Sequence, residues 1–300
     1  MEVLNPAPGK IFVDGTLGAG GHTEGLLQAS APDGIVIAFE VDPQAIEIAA
    51  ERLRPFGDRL RIVPDSYASL SKHLLPGQAI DGALLDLGVS SMQIDRAERG
   101  FSFLKEGPLD MRFNPAQPLS AENIVNDNSE EEIARILWLY GEERKSRRIA
   151  AAIVTARKEK PIRTTVELAE IIAKAVKGNR KKIHPATRSF QAIRVAVNGE
   201  LAALEAFLPQ AVAALKTGGR LAVISFHSLE DRIVKQFMQT ESKDCICPPQ
   251  QLVCTCGHKA SIKIITRHIR IAEAGEIETN PRSRSAKLRV AEKIGGANGN

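Results

Sequence analysis

One glycine-rich segment constrains the fold of this chain more than any other feature. Val13-Asp-Gly-Thr-Leu-Gly-Ala-Gly-Gly-His-Thr23 follows the apolar run Ile11-Phe-Val13 and opens a helix-like stretch from Thr23 to Ala29. Glycines there let the backbone turn sharply and approach a ligand closely, and the helix start offers unpaired N–H groups. The strand-then-helix pattern repeats. A run from Gly34 to Glu40 leads into an amphipathic helix from about Pro43 to Leu53, and strands follow at Leu60 to Val63 and Gly82 to Asp86. Alternation of this kind predicts right-handed crossovers in a mainly parallel sheet, an α/β layered fold.

After the fourth strand the pattern stops. No strand is predicted from Arg112 to Val197, but helix-like stretches run from Glu130 to Tyr140, Lys145 to Lys158 and Thr165 to Val176. Strands and helices resume with a helix from Gly199 to Leu215, a turn at Lys216-Thr-Gly-Gly219 and a strand from Arg220 to Phe226. A helix from Leu229 to Met238 and closing strands at Ile262 to Thr266 and Ala286 to Ala291 complete the pattern. The simplest topology is a discontinuous α/β domain, residues 1–111 and 197–300, carrying an inserted all-helical domain, residues 112–196.

Charge follows the same division. The net charge of +4 averages −7 over residues 1–111, +7 over 112–196, −1 over 197–258 and +5 over 259–300. A basic insert and a basic tail point toward a polyanionic partner, although solvated Lys-rich and Arg-rich helix faces explain the charge alone equally well. No apolar run reaches membrane-helix length, and Met1-Glu-Val-Leu-Asn-Pro lacks the layout of a signal peptide, so a cytoplasmic protein with no membrane partner is expected.

In an open α/β sheet, ligands lie at the carboxyl ends of the strands, which places Asp14, Glu40, Asp65 and Asp86 along one rim. Glu40 is positioned to accept ribose hydroxyls, and Tyr67, just after the third strand, either brackets an adenine or packs on the sheet edge. A cationic sulfonium cofactor complements such a rim better than a pyrophosphate, which carboxylates repel. A dinucleotide fingerprint is a weak match, because Thr23 stands where the third glycine belongs. All four cysteines fall in a C-x-C-x6-C-x-C arrangement, Cys245, Cys247, Cys254 and Cys256. Such clustering argues against ordinary disulfides and leaves a small zinc knuckle, with His258 as an alternate ligand, open beside a metal-free reading.

Seven blocks in order carry a family resemblance: Asp14 to His22, Leu85-Asp-Leu-Gly-Val-Ser-Ser91, Arg99-Gly-Phe-Ser-Phe103, Gly107-Pro-Leu-Asp-Met-Arg112, His184-Pro-Ala-Thr-Arg188, Ser225-Phe-His-Ser-Leu-Glu-Asp231 and Asn280-Pro-Arg-Ser-Arg-Ser285. Together they resemble the MraW (RsmH) family of bacterial 16S ribosomal RNA cytosine-N4 methyltransferases. The resemblance implies a class I S-adenosylmethionine (SAM)-dependent methyltransferase fold, Rossmann-like, with a mainly parallel seven-stranded sheet and a helical RNA-recognition insert. It places SAM contacts at Gly20, Gly21, His22, Glu40, Tyr67, Asp86 and Gln93; relatives often have Asp at position 40 and Phe at 67. It also implies a further stretch with a histidine and a Pro-Val-Leu run ahead of the helix in which this sequence starts.

The implied reaction methylates the exocyclic N4 of a decoding-centre (P-site) cytosine of 16S rRNA, in naked RNA or an assembling 30S subunit. Asp86 is the expected catalytic group, accepting the N4 proton, with a purely cofactor-orienting role as its alternative. Arg112 and Arg188 are expected on RNA phosphates. His227 either meets the base or a phosphate, or hydrogen-bonds the start of the next helix. Phe101, Phe103 and Phe226 are the rings available to a base lifted from its stack, at least one of them serving the core. A non-catalytic RNA-binding factor and an NAD-dependent oxidoreductase are rival readings; monomer and homodimer both stay open.

Overall fold

In the computed structural model, residues 2–176, 184–251 and 253–295 are described. They form strands β1 (Ile11–Asp14), β2 (Ile35–Phe39), β3 (Leu60–Val63), β4 (Ile80–Asp86), β5 (Leu215–Ser225), β6 (Ile262–Ile264), β7 (Arg270–Ile271) and β8 (Lys287–Lys293). The sheet order is β3-β2-β1-β4-β5-β8-β6, with β7 also on β8. β1 to β5 pair in parallel, whereas β8 is antiparallel to its neighbours. The expected α/β sheet is therefore present, with one short strand more than the seven expected, because Arg270–Ile271 adds a two-residue ribbon to β8.

Both faces of the sheet are buried, and the strands read accordingly as near-continuous apolar runs. Val13, Ile37, Phe39, Val63, Ala83, Leu85, Leu221 and Val223 point to one face, against Leu204, Phe207, Leu208 and Ala211 of the helix Glu200–Ala214. Phe12, Val36, Ala38, Leu84 and Ala222 point to the other, against Leu26 and Leu27 of the helix Gly21–Ala29 and Ala49 and Leu53 of the helix Pro43–Leu53. The alternation is the period-2 pleat of a strand, and each fully buried large side chain contributes roughly 1.5–3 kcal/mol. The turn expected at Lys216 to Gly219 is instead absorbed into β5, whose register shifts between Ile80 and Gly82 of β4; Gly218, at φ +83°, supplies the irregular residue.

The chain divides into two compact units, Met1–Gly88 with Leu201–Asn300, and Val89–Glu200. The first cut falls ahead of the expected 111/112 boundary because Leu109 and Met111 are buried among Ile124, Ile149 and Ile193 of the helical core. The expected helices of this unit lie at Glu130–Gly141, Ser146–Glu159 and Thr165–Val176. Three α-helices among the described residues were not expected: Ala121–Asp127, Thr187–Asn198 and the five-residue Ser91–Asp95. The first is short and started by a Ser120–Asn123 capping box. The second opens on the polar run Thr187-Arg-Ser and buries Phe190, Ile193 and Val197. Among the described residues of this unit the only β pairing is an isolated bridge from Pro108 to Thr164.

Candidate active site

Strand direction builds the site. Parallel pairing of Asp14 with Leu84, Phe39 with Val63 and Asp86 with Ile224 brings the ends of β1 to β5 to one edge. Strand order reverses between β1 and β4, the switch point at which open α/β sheets hold their ligands. Asp14 and Asp86 stand on either side of it. The Asp86 N–H donates to Thr16 Oγ1 at 2.7 Å, tying the two strand ends together.

The rim carboxylates differ in what they do. Asp14 is fully buried; it accepts from Thr16 N at 3.0 Å and from Thr23 Oγ1 at 2.7 Å. Burial pushes its carboxyl above the usual range, against the pull of those two donors. Thr23 therefore stands at the third-glycine position to hold Asp14. Glu40 is fixed by three backbone donors, Gly18 N at 2.9 Å on Oε2 and Val41 N and Asp42 N at 2.8 and 3.0 Å on Oε1. Burial raises its pKa while the backbone donors lower it. With roughly four acceptor positions on a carboxylate, about one remains for a hydroxyl. Asp65 is held by Ser66 N, Ser69 Oγ and His73 Nε2 at 2.7, 2.7 and 2.8 Å. His73 above all holds its carboxyl below the usual range.

Asp86 is the exception. Its Oδ2 lies 3.2 Å from His22 Nε2, while its Oδ1 is buried with no hydrogen-bond partner. His22 sits in the first turn of the helix Gly21–Ala29, and its hydrogen bond to Asp86 raises its pKa above 6.5 despite opposing burial. The glycine loop sets this placement. Gly20 starts the helix at φ +84°, where a Cβ would lie 2.9 Å from Leu53 Cδ1; a Cβ at Gly21 would have nothing within 4 Å. Tyr67 stands edge-on to Phe207, ring centroids 5.5 Å apart, and its Cβ closes over Gly15. The Thr16 and Thr23 contacts were missed in the sequence, although Asp-x-Thr is the spacing of a turn in which Asp accepts from the N–H two residues on.

Residues 1–294 match the MraW methylase family. The chain belongs to that family. Ribosomal RNA small subunit methyltransferase H of Dehalococcoides mccartyi is 52% identical over 296 residues, taking in 98% of this chain and 84% of that protein. The same-named protein of Geotalea uraniireducens is 52% identical over 298 residues, 98% of this chain and 96% of its own length. That of Geobacter sulfurreducens is 50% identical over 298 residues, again 98% and 96%.

The other residues singled out in this MraW-family chain are heavily used by its fold. His227 caps the helix Ser228–Glu241: its Nδ1 accepts from Glu230 N at 3.4 Å, and its Nε2 lies 3.0 Å from Glu230 Oε1 without hydrogen-bond alignment. The ring thus fills the helix-start role through Nδ1, while its buried Nε2 makes no hydrogen bond. Within Val89–Glu200, Gln93 is buried and closes a capping box with Ser90, N–H to Oε1 at 3.1 Å. Arg112 clamps Asp110 through Nε and Nη2 at 2.9 and 2.7 Å and donates Nη1 to Gln117 O at 2.8 Å. Arg188 is exposed, with Nη1 at 3.3 Å from Glu142 O. Phe101 stacks on Phe113 at 5.6 Å, and Phe103 packs against His184 and Phe190, each at 4.7 Å. Phe226 donates its N–H to Glu230 Oε2 at 2.8 Å. No helix among the described residues is long and apolar enough to cross a membrane.

Proposed function

We propose that this chain methylates small-subunit ribosomal RNA with SAM as methyl donor, at the exocyclic N4 of a decoding-centre cytosine. The observation that carries the reading is the unpartnered, buried Oδ1 of Asp86 at the switch point. Leaving such an oxygen without a donor costs about 1–3 kcal/mol or more, so its retention is best understood if a donor arrives with substrate. The glycine turn, the helix N-terminus and the remaining acceptor position of Glu40 suit the nucleoside and amino-acid ends of SAM, with Tyr67 beside the adenine and Gly20, Gly21 and His22 along the chain. When bound, SAM supplies a methyl group on a sulfonium, whose thioether leaves readily in an in-line displacement.

The chain's own task is then to position the nucleophile and take its proton. The N4 lone pair of cytosine is delocalised into the ring. Asp86 Oδ1, accepting one N4–H, favours the pyramidal nitrogen that attacks. As the N–C bond forms and the C–S bond breaks, the N4 proton passes to Asp86. His22, holding the opposite oxygen and partly exposed, is placed to pass a proton on to water. Arg188, in the segment of charge +7, and the tail of charge +5 supply the phosphate contacts. Arg112 acts there only through whatever its Asp110 clamp leaves.

The test is Asp86→Asn assayed on small subunits or 16S rRNA from cells lacking the modification, with SAM affinity measured by calorimetry. A fall in kcat of about 10²–10⁴ with SAM affinity kept within a few fold is expected. Near-full methylation sinks the acid–base role, and loss of SAM affinity without a separate loss of kcat assigns Asp86 to the cofactor alone. Mapping methylated nucleotides in rRNA from a deletion strain tests the cytosine assignment.

A further inference from the structure

The segment between the helix Ser228–Glu241 and β6 poses a stability problem. The described residues of the span 242–261 contain no helix or strand and none of them is buried; Ile246 and Val253 are 48% and 72% exposed. A loop of this length without secondary structure or core of its own calls for some other restraint. Its base has one: Ser261 N donates to Glu241 O at 2.8 Å, Ser261 Oγ to Glu241 Oε2 at 2.6 Å, and Ala260 N to Asp244 Oδ1 at 3.3 Å. Among the described residues of the tip, none is buried in apolar packing.

What the tip does have is four sulfurs. The Sγ atoms of Cys245, Cys247, Cys254 and Cys256 all lie within 4.8 Å of one another, Cys254 to Cys256 at 3.6 Å and Cys256 to Cys245 at 3.8 Å. All four are free thiols, and these separations are far beyond the roughly 2.05 Å of a disulfide. They match another geometry. Four sulfurs placed tetrahedrally at a zinc–thiolate distance of about 2.3 Å stand about 3.8 Å apart. Backbone N–H groups already point at two of the sulfurs, Ile246 N to Cys256 Sγ at 3.5 Å and Cys247 N to Cys245 Sγ at 3.4 Å, the support that charged thiolate ligands need. His258 lies outside this cluster, which consists of the four cysteines alone, and its Nε2 lies 3.1 Å from Thr240 O.

We propose that Cys245, Cys247, Cys254 and Cys256 bind one zinc ion as a closed tetrathiolate site that holds this loop. With all four positions filled by protein, the ion has no place for water or substrate, and its role is structural. Methyl transfer does not pass through it, so the site stands or falls independently of the function proposed above.

The experiment is metal analysis of the full-length protein purified without chelator. About one zinc per chain is expected, released in step with mercurial titration of four thiols, and replaceable by cobalt with the intense visible bands of a tetrahedral tetrathiolate. Less than about half an equivalent of zinc, in protein whose thiols are reduced, overturns the proposal, because a structural site binds stoichiometrically. A native disulfide within the cluster, found by mass spectrometry of metal-free protein, overturns it as well. Cys254→Ser is expected to lose the metal and to gain protease cleavage between Lys243 and Lys259; retention of zinc at unchanged affinity refutes the four-ligand set. Should that variant aggregate, the zinc content of the unsubstituted protein still decides.

Discussion

The strand-end rim and the helical unit both carry many charged residues, but they leave different groups unspent. At the rim, two carboxylates are consumed by the fold, Asp14 by two threonines and Asp65 by Ser69 and His73, and Glu40 gives all but about one acceptor position to three backbone N–H groups. One carboxylate oxygen, on Asp86, is left over. In the helical unit a half-buried cation is consumed, Arg112 on Asp110, and an exposed one, Arg188, is left with a single 3.3 Å contact to Glu142 O. A residue's membership in a family block thus does not separate function from architecture. What separates them is whether the side chain's hydrogen-bonding capacity has already been used inside the fold.

The largest expected effect tests that distinction at the rim. Asp86→Asn should lower kcat by about 10²–10⁴, whereas Asp65→Asn should leave kcat within about threefold and act on stability instead. Single-turnover methylation and denaturant unfolding of both variants separate the two. An equal loss of kcat in both would mean that the rim acts as one field rather than through one atom.

Glycines sharpen the same comparison. A Cβ at Gly107, in the helical unit, would lie 1.8 Å from the Ala97 carbonyl oxygen, and neither backbone can yield cheaply. Gly107→Ala should cost more than about 3 kcal/mol of stability, read as the denaturant midpoint. Gly21→Ala meets nothing within 4 Å and starts a helix, so the fold should tolerate it, with stability changed by about 1 kcal/mol or less. If Gly21 lies along SAM, the same variant should weaken SAM binding about tenfold, roughly 1.4 kcal/mol. A Gly21→Ala protein that binds SAM normally removes that glycine from the cofactor site.

How much of this was legible in the sequence depends on the range of the interaction that decides it. The α/β sheet, the break after β4 and three of the insert's helices follow from local periodicity, which the chain displays over each element. The rim itself was legible because strand direction alone brings Asp14, Glu40, Asp65 and Asp86 to one edge. Their unequal roles were not. Asp65 is spent on His73, which lies beyond Ser69 in the next helical turn, and nothing in the pattern separates His73 from an exposed histidine. The Arg112 clamp is closer in sequence, yet Asp-Met-Arg reads equally as an exposed acid and base until Met111, at φ +60° and fully buried, folds the two together. The spacing of the cysteines was legible; the sulfur separations that match a tetrahedron were not.

Arg112 and Arg188 give the next smaller contrast. Arg112→Gln breaks a charge-assisted clamp about a quarter exposed, and a loss of about 1–2 kcal/mol is expected after allowing for solvent screening. Arg188→Gln should leave stability within about 0.5 kcal/mol, yet reduce the slope of log K for RNA against log salt by about 1. Salt should weaken RNA binding steeply and SAM binding hardly at all, since only the former displaces condensed counterions. Equal salt slopes for the two ligands would break the division between an acidic cofactor rim and a basic RNA surface.

The smallest effect concerns the pair His22–Asp86, the one place where the unspent carboxylate touches the fold. Hydrogen bonding to Asp86 raises the pKa of His22 in the folded chain above its ordinary 6.5. Folding therefore favours the protonated ring. The resulting stability is fully present below pH 6.5 and is lost as pH rises through the raised folded value; because the ring is substantially exposed, the change should be small. His22→Gln should flatten this part of the pH–stability curve, and Asp86→Asn should flatten it equally, because each removes the same interaction. Denaturant midpoints measured on the three proteins from below pH 6.5 upward provide the comparison. If His22→Gln flattens the curve and Asp86→Asn does not, the ring answers to another group, and Asp86 then loses the partner proposed to carry its proton away.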